Sequence, residues 1–385
     1  MIQDFLTPVE SEVQDYFRTL MKRSVGEQVL FYDGDLPELK KGIALIHVPE
    51  YRGSGFLEKS SDALLIRRSL YQLSEIPGAL QLIDMGDLKP GAELNDSRAA
   101  LKLVCEELLA ANIFPLIIGG SHDLTYAQLE AFPKQKTGLN LLIADQKIDF
   151  FDSKNEAMSD KNFLMEVLTS GKVNLFDFNV IGYQMHFTSG EALHTLDKLN
   201  YEAYRLSLLQ DNIEEIEPIA RDTDVLSFDM GAIRYPDAKG VLDPTPNGFY
   251  GQQACQIMRY AGLSGRLKSL GIYGVDTDAD EQGQTAQLMA QMIWYFLEAR
   301  SLSKADFPDF KRRNFIKYSV SVDGTEGEMV FLKSKLSEKW WMEIPDLNEE
   351  QSGNRYVIPC SYTDYQLASK NEIPERWMKA VQKFN

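Results

Sequence analysis

Three apolar runs in this chain each end in side chains able to do chemistry. Ile117-Ile118-Gly119-Gly120-Ser121-His122-Asp123 delivers an imidazole, and Leu142-Ile143-Ala144-Asp145-Gln146-Lys147-Ile148-Asp149 delivers two carboxylates and an ammonium. Val225-Leu226-Ser227-Phe228-Asp229-Met230-Gly231 delivers a further carboxylate. Imidazole nitrogen and carboxylate oxygen are donors that hold divalent ions. Read singly, each has a plain structural role, His122 as a core or capping residue and Asp229 as a solvated strand end. Three strand ends that each offer a ligand-type group are harder to assign to packing. If the second run continues as a strand, side chains 145, 147 and 149 share one face, because strand side chains alternate. Other chemistries lack their signatures. The segment around His122 has no closing Gly of a nucleophile elbow, Ser170-Gly171-Lys172 has no Gly five positions earlier to make a phosphate loop, and no dinucleotide-binding Gly fingerprint occurs.

The elements that must position these groups follow from hydrophobic periodicity. Short apolar runs alternate with longer amphipathic segments, the pattern of a parallel sheet covered by helices on both faces. Strands are predicted at 42–48, 80–84, 115–118, 140–144, 178–181, 225–228 and 270–275, with helices at 61–73, 98–111, 125–132, 190–200, 251–264 and 284–299. In the helix at 98–111, Leu101, Val104, Cys105, Leu108 and Leu109 recur at i, i+3, i+4 and make a buried stripe. His122, Asp145 and Asp229 then emerge at carboxyl ends of strands, where open α/β sheets place ligands. Residues 1–40 read as a helical lead-in, 41–305 as the α/β unit, and 306–385 as an appended α+β element. In the last, Ile316, Tyr318, Val320 and Val322 alternate with polar residues before a Gly-rich turn, a hairpin signal. Its Trp340-Trp341-Met342 cluster reads as a packing anchor.

The 385 residues carry 40 Lys and Arg against 57 Asp and Glu, a formal charge of −17. Nucleic-acid binding needs phosphate neutralisation, and the longest basic run is Lys311-Arg312-Arg313, so a polyanionic partner is disfavoured. Cys105, Cys255 and Cys360 form no Cys-x-x-Cys pair, which argues against a disulfide framework or a thiolate zinc site. The first residues lack the pattern of a secretory signal and no apolar run of about 18 residues occurs, so a cytoplasmic protein without membrane spans is expected.

In order and spacing, the three segments resemble the ureohydrolase superfamily of arginase, agmatinase and formimidoylglutamase, whose motifs are Gly-Gly-x-His, Asp-x-His-x-Asp and Ser-x-Asp-x-Asp. The resemblance runs from about residue 43 to 299 and includes Ala63-Leu64-Leu65-Ile66-Arg67 and Gly240-Val241-Leu242-Asp243-Pro244. It implies a three-layer α/β/α fold and two manganese ions that activate water for attack on a linear amidine. His122, Asp145, Asp149 and Asp229 match the donors of the first ion. Lys147 stands at the position of an imidazole ligand and Gly231 at that of a carboxylate, and both losses fall on the second ion. An ammonium has no lone pair for a metal, but it can replace the cation's charge. At about 4 Å and an effective dielectric near 20, each carboxylate–ammonium contact is worth roughly 4 kcal/mol before desolvation. Lys147 is therefore expected at the second-ion position, facing Asp145 and Asp229, as a substitute cation rather than a catalyst, with Asp149 the carboxylate nearest the chemistry.

Two further family features are missing. Gly274 stands where a substrate-binding Glu is expected, and no His follows the second motif to shuttle protons, since none lies between 123 and 185. Ser159, Asn162, His186 and Arg234 are the candidates for substrate contact. The expected cofactor is at most one Mn²⁺ or other divalent ion, or none. The expected function is that of a ureohydrolase homologue with weak or lost hydrolysis, acting as a ligand-binding or regulatory protein. The alternatives are an active one-ion hydrolase of a guanidino or formimino compound and a structural assembly subunit. The partner is expected to be a small amidine or amino-acid derivative, and family resemblance implies a homo-oligomer.

Overall fold

The computed structural model describes residues 2–20, 22–37, 42–56, 63–134, 138–150, 157–304, 306–308, 313–325, 327–345 and 355–384. Ser61, at the predicted start of a helix, and Lys311-Arg312 of the basic run lie outside these residues. The apolar runs become β1 (Leu6–Thr7), β2 (Leu30–Phe31), β3 (Gly42–His47), β4 (Gln81–Leu88), β5 (Ile113–Ile118), β6 (Leu139–Ala144), β7 (Leu175–Tyr183), β8 (Glu202–Arg205), β9 (Val225–Asp229) and β10 (Ser269–Tyr273). They form one sheet in the order β1-β4-β3-β5-β10-β9-β6-β7-β8, with β2 joined to β4. Every pairing is parallel except β1 with β4.

Strand alternation splits the interior into two faces. Leu116, Ile118, Leu142, Ala144, Leu226, Phe228, Leu270 and Ile272 pack with helices Ala63–Tyr71, Gly251–Gly262 and Gln284–Leu302. Ala44, Ile46, Ile117, Leu141, Ile143, Phe178 and Val180 pack on the other side with helices Leu94–Ala110, Leu124–Glu130, Phe163–Thr169 and Gly190–Lys198. Coverage of both faces explains why the central strands are apolar throughout rather than alternating. The predicted strands and helices are all present, with shifted ends. β6 ends at Ala144, as the predicted 140–144 strand does, and Asp145 to Asp149 form a loop. Strand alternation therefore does not bring 145, 147 and 149 together; loop closure does.

Residues after 313 build a separate antiparallel sheet, β11 (Phe315–Ser321), β12 (Glu328–Ser334), β13 (Trp340–Pro345) and β14 (Arg355–Cys360), followed by helices Tyr362–Ser369 and Glu375–Phe384. Trp340 stacks on Tyr365 at 4.9 Å. Trp341 is buried, with the Arg221 guanidinium 4.4 Å from its ring centre and Arg221 Nη2 donating to the Cys360 carbonyl. Trp340 thus packs within this unit, and Trp341 with Arg221 anchors it beside the helix that precedes β9, away from the strand ends that carry the candidate site.

Candidate metal centre

The adjacent strands β5, β10, β9 and β6 send their carboxyl ends to one point. After β5 the chain turns through Gly119 and Gly120 at φ +92° and +74°; a Cβ on Gly120 would lie 2.5 Å from Leu124 and 2.8 Å from the Val48 carbonyl. This turn projects His122 under the sheet edge. His122 Nε2 lies 2.9 Å from Ser227 Oγ, which lies 2.6 Å from Thr125 Oγ1, so the ring is held from behind. Its Nδ1 faces three carboxylates, Asp149 Oδ2 at 3.0 Å, Asp145 Oδ2 at 3.3 Å and Asp229 Oδ2 at 3.7 Å. His122, Asp145 and Asp149 are 2%, 1% and 3% exposed.

Three carboxylates this close in a buried place cannot all stay charged without a cation. Burial and the charge of Asp145 push Asp149 well above the usual carboxylate range and Asp229 up to about 7. Burial also acts on Asp145, but the contact with His122 outweighs it and holds Asp145 low. Burial opposes a charged imidazole, and the contacts with Asp145 and Asp149 overcome this, so His122 is raised well above its ordinary value. In the absence of an ion, these shifts favour the protonated forms of Asp149, Asp229 and His122.

The donor set fits a divalent ion. His122, Asp145 and Asp149 each offer a ligand atom within 4.8 Å of the others, and Asp145 Oδ2 and Asp149 Oδ1 are buried without accepting a hydrogen bond. Such unpaired oxygens are uncommon in protein interiors. With Nε2 occupied by Ser227, Nδ1 is the ring nitrogen available to an ion, the arrangement that an outer hydrogen-bond partner ordinarily fixes. The space beside the cluster is small. It measures about 10 Å³ and is lined by His122, Lys147, Asp149, Asp160, Asp229 and Asp243, with Ser54 and Leu242. That is close to the lower limit for one water-sized occupant.

Lys147 borders this space, and its Nζ donates to Asp243 Oδ2 at 2.8 Å. The expected partners were Asp145 and Asp229; the ion pair forms with Asp243 instead, while the Lys147 backbone N–H donates to Asp145 Oδ1 at 3.3 Å. Burial lowers the ammonium's pKa, but the charges of Asp149 and Asp145 outweigh this and raise it. Gly231 sits in a short 3-10 turn and its N–H donates to Asp229 Oδ1 at 2.6 Å. A Cβ there would lie 2.8 Å from that same oxygen. Gly274, at φ +76°, follows β10, and a Cβ on it would lie 2.8 Å from Asp229 Oδ2. Both glycines thus make room for the Asp229 carboxylate.

None of the four candidate substrate residues lines this space. Asn162 Oδ1 accepts from the Ser159 N–H at 2.7 Å, and Asn162 Nδ2 donates to the Ala157 carbonyl, so the pair closes its own loop. His186 and Arg234 share a different pocket of about 330 Å³ with Arg205 and Tyr250; there Arg234 pairs with Asp237 at 2.8 Å and covers the Tyr250 ring at 4.2 Å. Three contributors were missed. Asp160, between the candidates Ser159 and Asn162, borders the space, and burial pushes its carboxyl up. Asp243 lies inside the flagged 240–244 stretch. Arg98 Nη2 donates to Asp123 Oδ2 at 2.5 Å and to the Met158 carbonyl at 2.9 Å, tying the His122 turn to the Asp160 loop.

Comparison with known proteins agrees with this geometry. The chain is 24% identical over 242 residues to formimidoylglutamase from Staphylococcus haemolyticus, covering 60% of this chain and 77% of that one. It is 26% identical over 237 residues to the human mitochondrial guanidino acid hydrolase, covering 57% and 64%. Among solved structures, formimidoylglutamase from Bacillus subtilis superposes with a TM-score of 0.64 at 20% identity over 76% of this chain and 99% of that one. A Trypanosoma cruzi formiminoglutamase solved with Mn²⁺ gives 0.62 at 18% identity over 70% and 97%. These structures share the fold. The arginase family profile matches residues 57–298, which span the sheet core and all three motifs, and the chain accordingly belongs to the arginase family of ureohydrolases.

Proposed function

We propose that this family member holds a single divalent ion, manganese by its family, at His122, Asp145, Asp149 and Asp229, and binds a linear amidine or related amino-acid derivative with hydrolysis weakened or lost. One observation carries the reading: beside the cluster, at the position of a second-ion ligand in the family pattern, stands the Lys147 ammonium paired with Asp243. A bound ion supplies Lewis-acid activation of water. Around it, Ser227 fixes the His122 ring, the Gly231 N–H holds Asp229, and Lys147 contributes one unit of charge but no coordination position. That combination retains affinity for a cation but leaves one metal coordination centre where the family pattern has two. A homo-oligomer belongs to the same proposal by family resemblance.

The second reading, an active hydrolase working with one ion, is supported by the retention of all four first-ion donors and by the unpaired oxygens of Asp145 and Asp149. The two readings separate in one assay. Dialysed protein is loaded with manganese and offered formimidoylglutamate, agmatine and arginine, with thermal shift and release of formamide or urea followed together. Stabilisation by one of these compounds without product supports the first reading. Sustained release at one ion per chain supports the second.

A further inference from the structure

Behind the His122 ring a chain of buried polar side chains runs back between the sheet and the helix Leu124–Glu130. On β10, Ser269, Gly271 and Tyr273 share one face by strand alternation, and on the helix Thr125 and Gln128 share a face at i and i+3. Gly271 leaves room for the Tyr273 ring, which a Cβ at that position would overlap. Thr125, Gln128, Ser227 and Tyr273 are fully buried, and Ser269 is nearly so. None of the five lines the space beside the metal centre. Polar groups set between a helix and an otherwise apolar sheet are costly unless each is bonded, and here they bond to one another.

The direction of the chain follows from its far end. The Pro115 carbonyl can only accept, so the Ser269 hydroxyl donates to it at 3.2 Å. Ser269 Oγ in turn accepts from Gln128 Nε2 at 2.8 Å, which turns Gln128 Oε1 towards Tyr273, and the Tyr273 hydroxyl donates to that oxygen at 2.9 Å. With its one proton committed, the Tyr273 oxygen accepts from the Thr125 hydroxyl. Thr125 Oγ1 then accepts from Ser227 Oγ at 2.6 Å, and Ser227 Oγ accepts from His122 Nε2 at 2.9 Å. A hydroxyl carries a single proton, so each link fixes the next. The proton is held on Nε2, and the Nδ1 lone pair is left for an ion among the three carboxylates.

We infer that Tyr273 is a positioning residue of the metal centre: its hydroxyl, oriented by Gln128, sets the direction of the chain that keeps the proton on His122 Nε2 and presents Nδ1 to a divalent ion. The inference rests on the reading of the His122 cluster as a metal centre. An outer partner ordinarily fixes the tautomer of a ligating imidazole. Here that partner, Ser227, takes its own direction from Tyr273 through Thr125. Without the phenolic oxygen, Thr125 is free to donate to Ser227 and Ser227 to Nε2. The ring then carries its proton on Nδ1, and the whole chain must reverse before an ion can bind.

The test uses the full chain, stripped of metal and titrated with manganese by equilibrium dialysis, with thermal melting of the ion-free protein alongside. Tyr273→Phe and Thr125→Val keep the shape of the side chains and should each weaken manganese binding by about tenfold, the range for loss of an outer partner of a ligand. Thr125→Ser keeps the hydroxyl and should bind as wild type does. Both losses break the same chain, so the double variant Tyr273→Phe with Thr125→Val should bind no more weakly than either single one. A role in packing alone predicts neither the rescue nor this non-additivity. Thr125→Val serves where Tyr273→Phe does not fold. Wild-type affinity in a folded single variant, a loss in Thr125→Ser, or additive losses in the double variant would overturn the inference and leave the metal centre standing. Absence of manganese binding in the wild type would overturn the metal centre and this inference with it.

Discussion

The inner and outer halves of the cleft are built from the same loops and differ in what they lack. In the inner half, one imidazole faces three carboxylates within 3.7 Å, and two carboxylate oxygens have no hydrogen-bond donor. In the outer half, Lys147 and Asp243 satisfy each other at 2.8 Å. The difference teaches where a cation is needed. The inner carboxylates are completed by protons or by an ion, whereas the outer acids already have a positive charge covalently attached to the chain.

Removing an inner donor should break the contrast most severely. Asp149→Asn is expected to lower manganese affinity by about a hundredfold or more, beyond the ~10–100-fold cost of losing an outer partner of a ligand. Equilibrium dialysis with metal analysis measures this, and thermal melting should show an ion-free protein about as stable as wild type, because the amide replaces a carboxyl that burial and Asp145 already favour in its neutral form. Ser227→Ala should cost about tenfold in affinity by freeing the His122 ring, with the fold unchanged.

Acid should erase the distinction between the halves. Without an ion, Asp229 is raised to about 7 and His122 is raised as well, so both bind protons that a metal must displace. Manganese affinity should therefore fall as pH drops through 7 and recover above it, by about tenfold per pH unit for each proton displaced. Titration in buffers of different ionisation enthalpy counts those protons. The outer half should be the least sensitive. Lys147→Met is expected to change stability by less than ~1 kcal/mol, because the Asp243 side chain of the pair is largely exposed. It should strengthen binding of the inner ion severalfold by removing a like charge.

The sheet core and the inner half were legible in the sequence, and the outer half largely was not. Strands buried on both faces leave continuous apolar runs, and a strand that ends in His122 or Asp229 announces its position by that pattern. The family pattern put Lys147 at the cleft, where it borders the space beside Asp149 and Asp229, but gave no sign of its bond to Asp243. The chain leaves the sheet at Ala144, and the Lys147 side chain reaches a loop almost a hundred residues later. Asp160 and Asp243 carry no local periodicity; long-range loop closure alone brings them to the site. The same reasoning explains Ser159 and Asn162, which sit beside the right residue and bond to each other.

The four inner donors beside the Lys147 ammonium predict one ion per chain. Protein stripped of metal, titrated with manganese and measured by elemental analysis at saturation, should bind one equivalent in wild type and essentially none in Asp149→Asn. Two equivalents in wild type would contradict the role given to Lys147, and no binding at all would contradict the inner half as a metal centre.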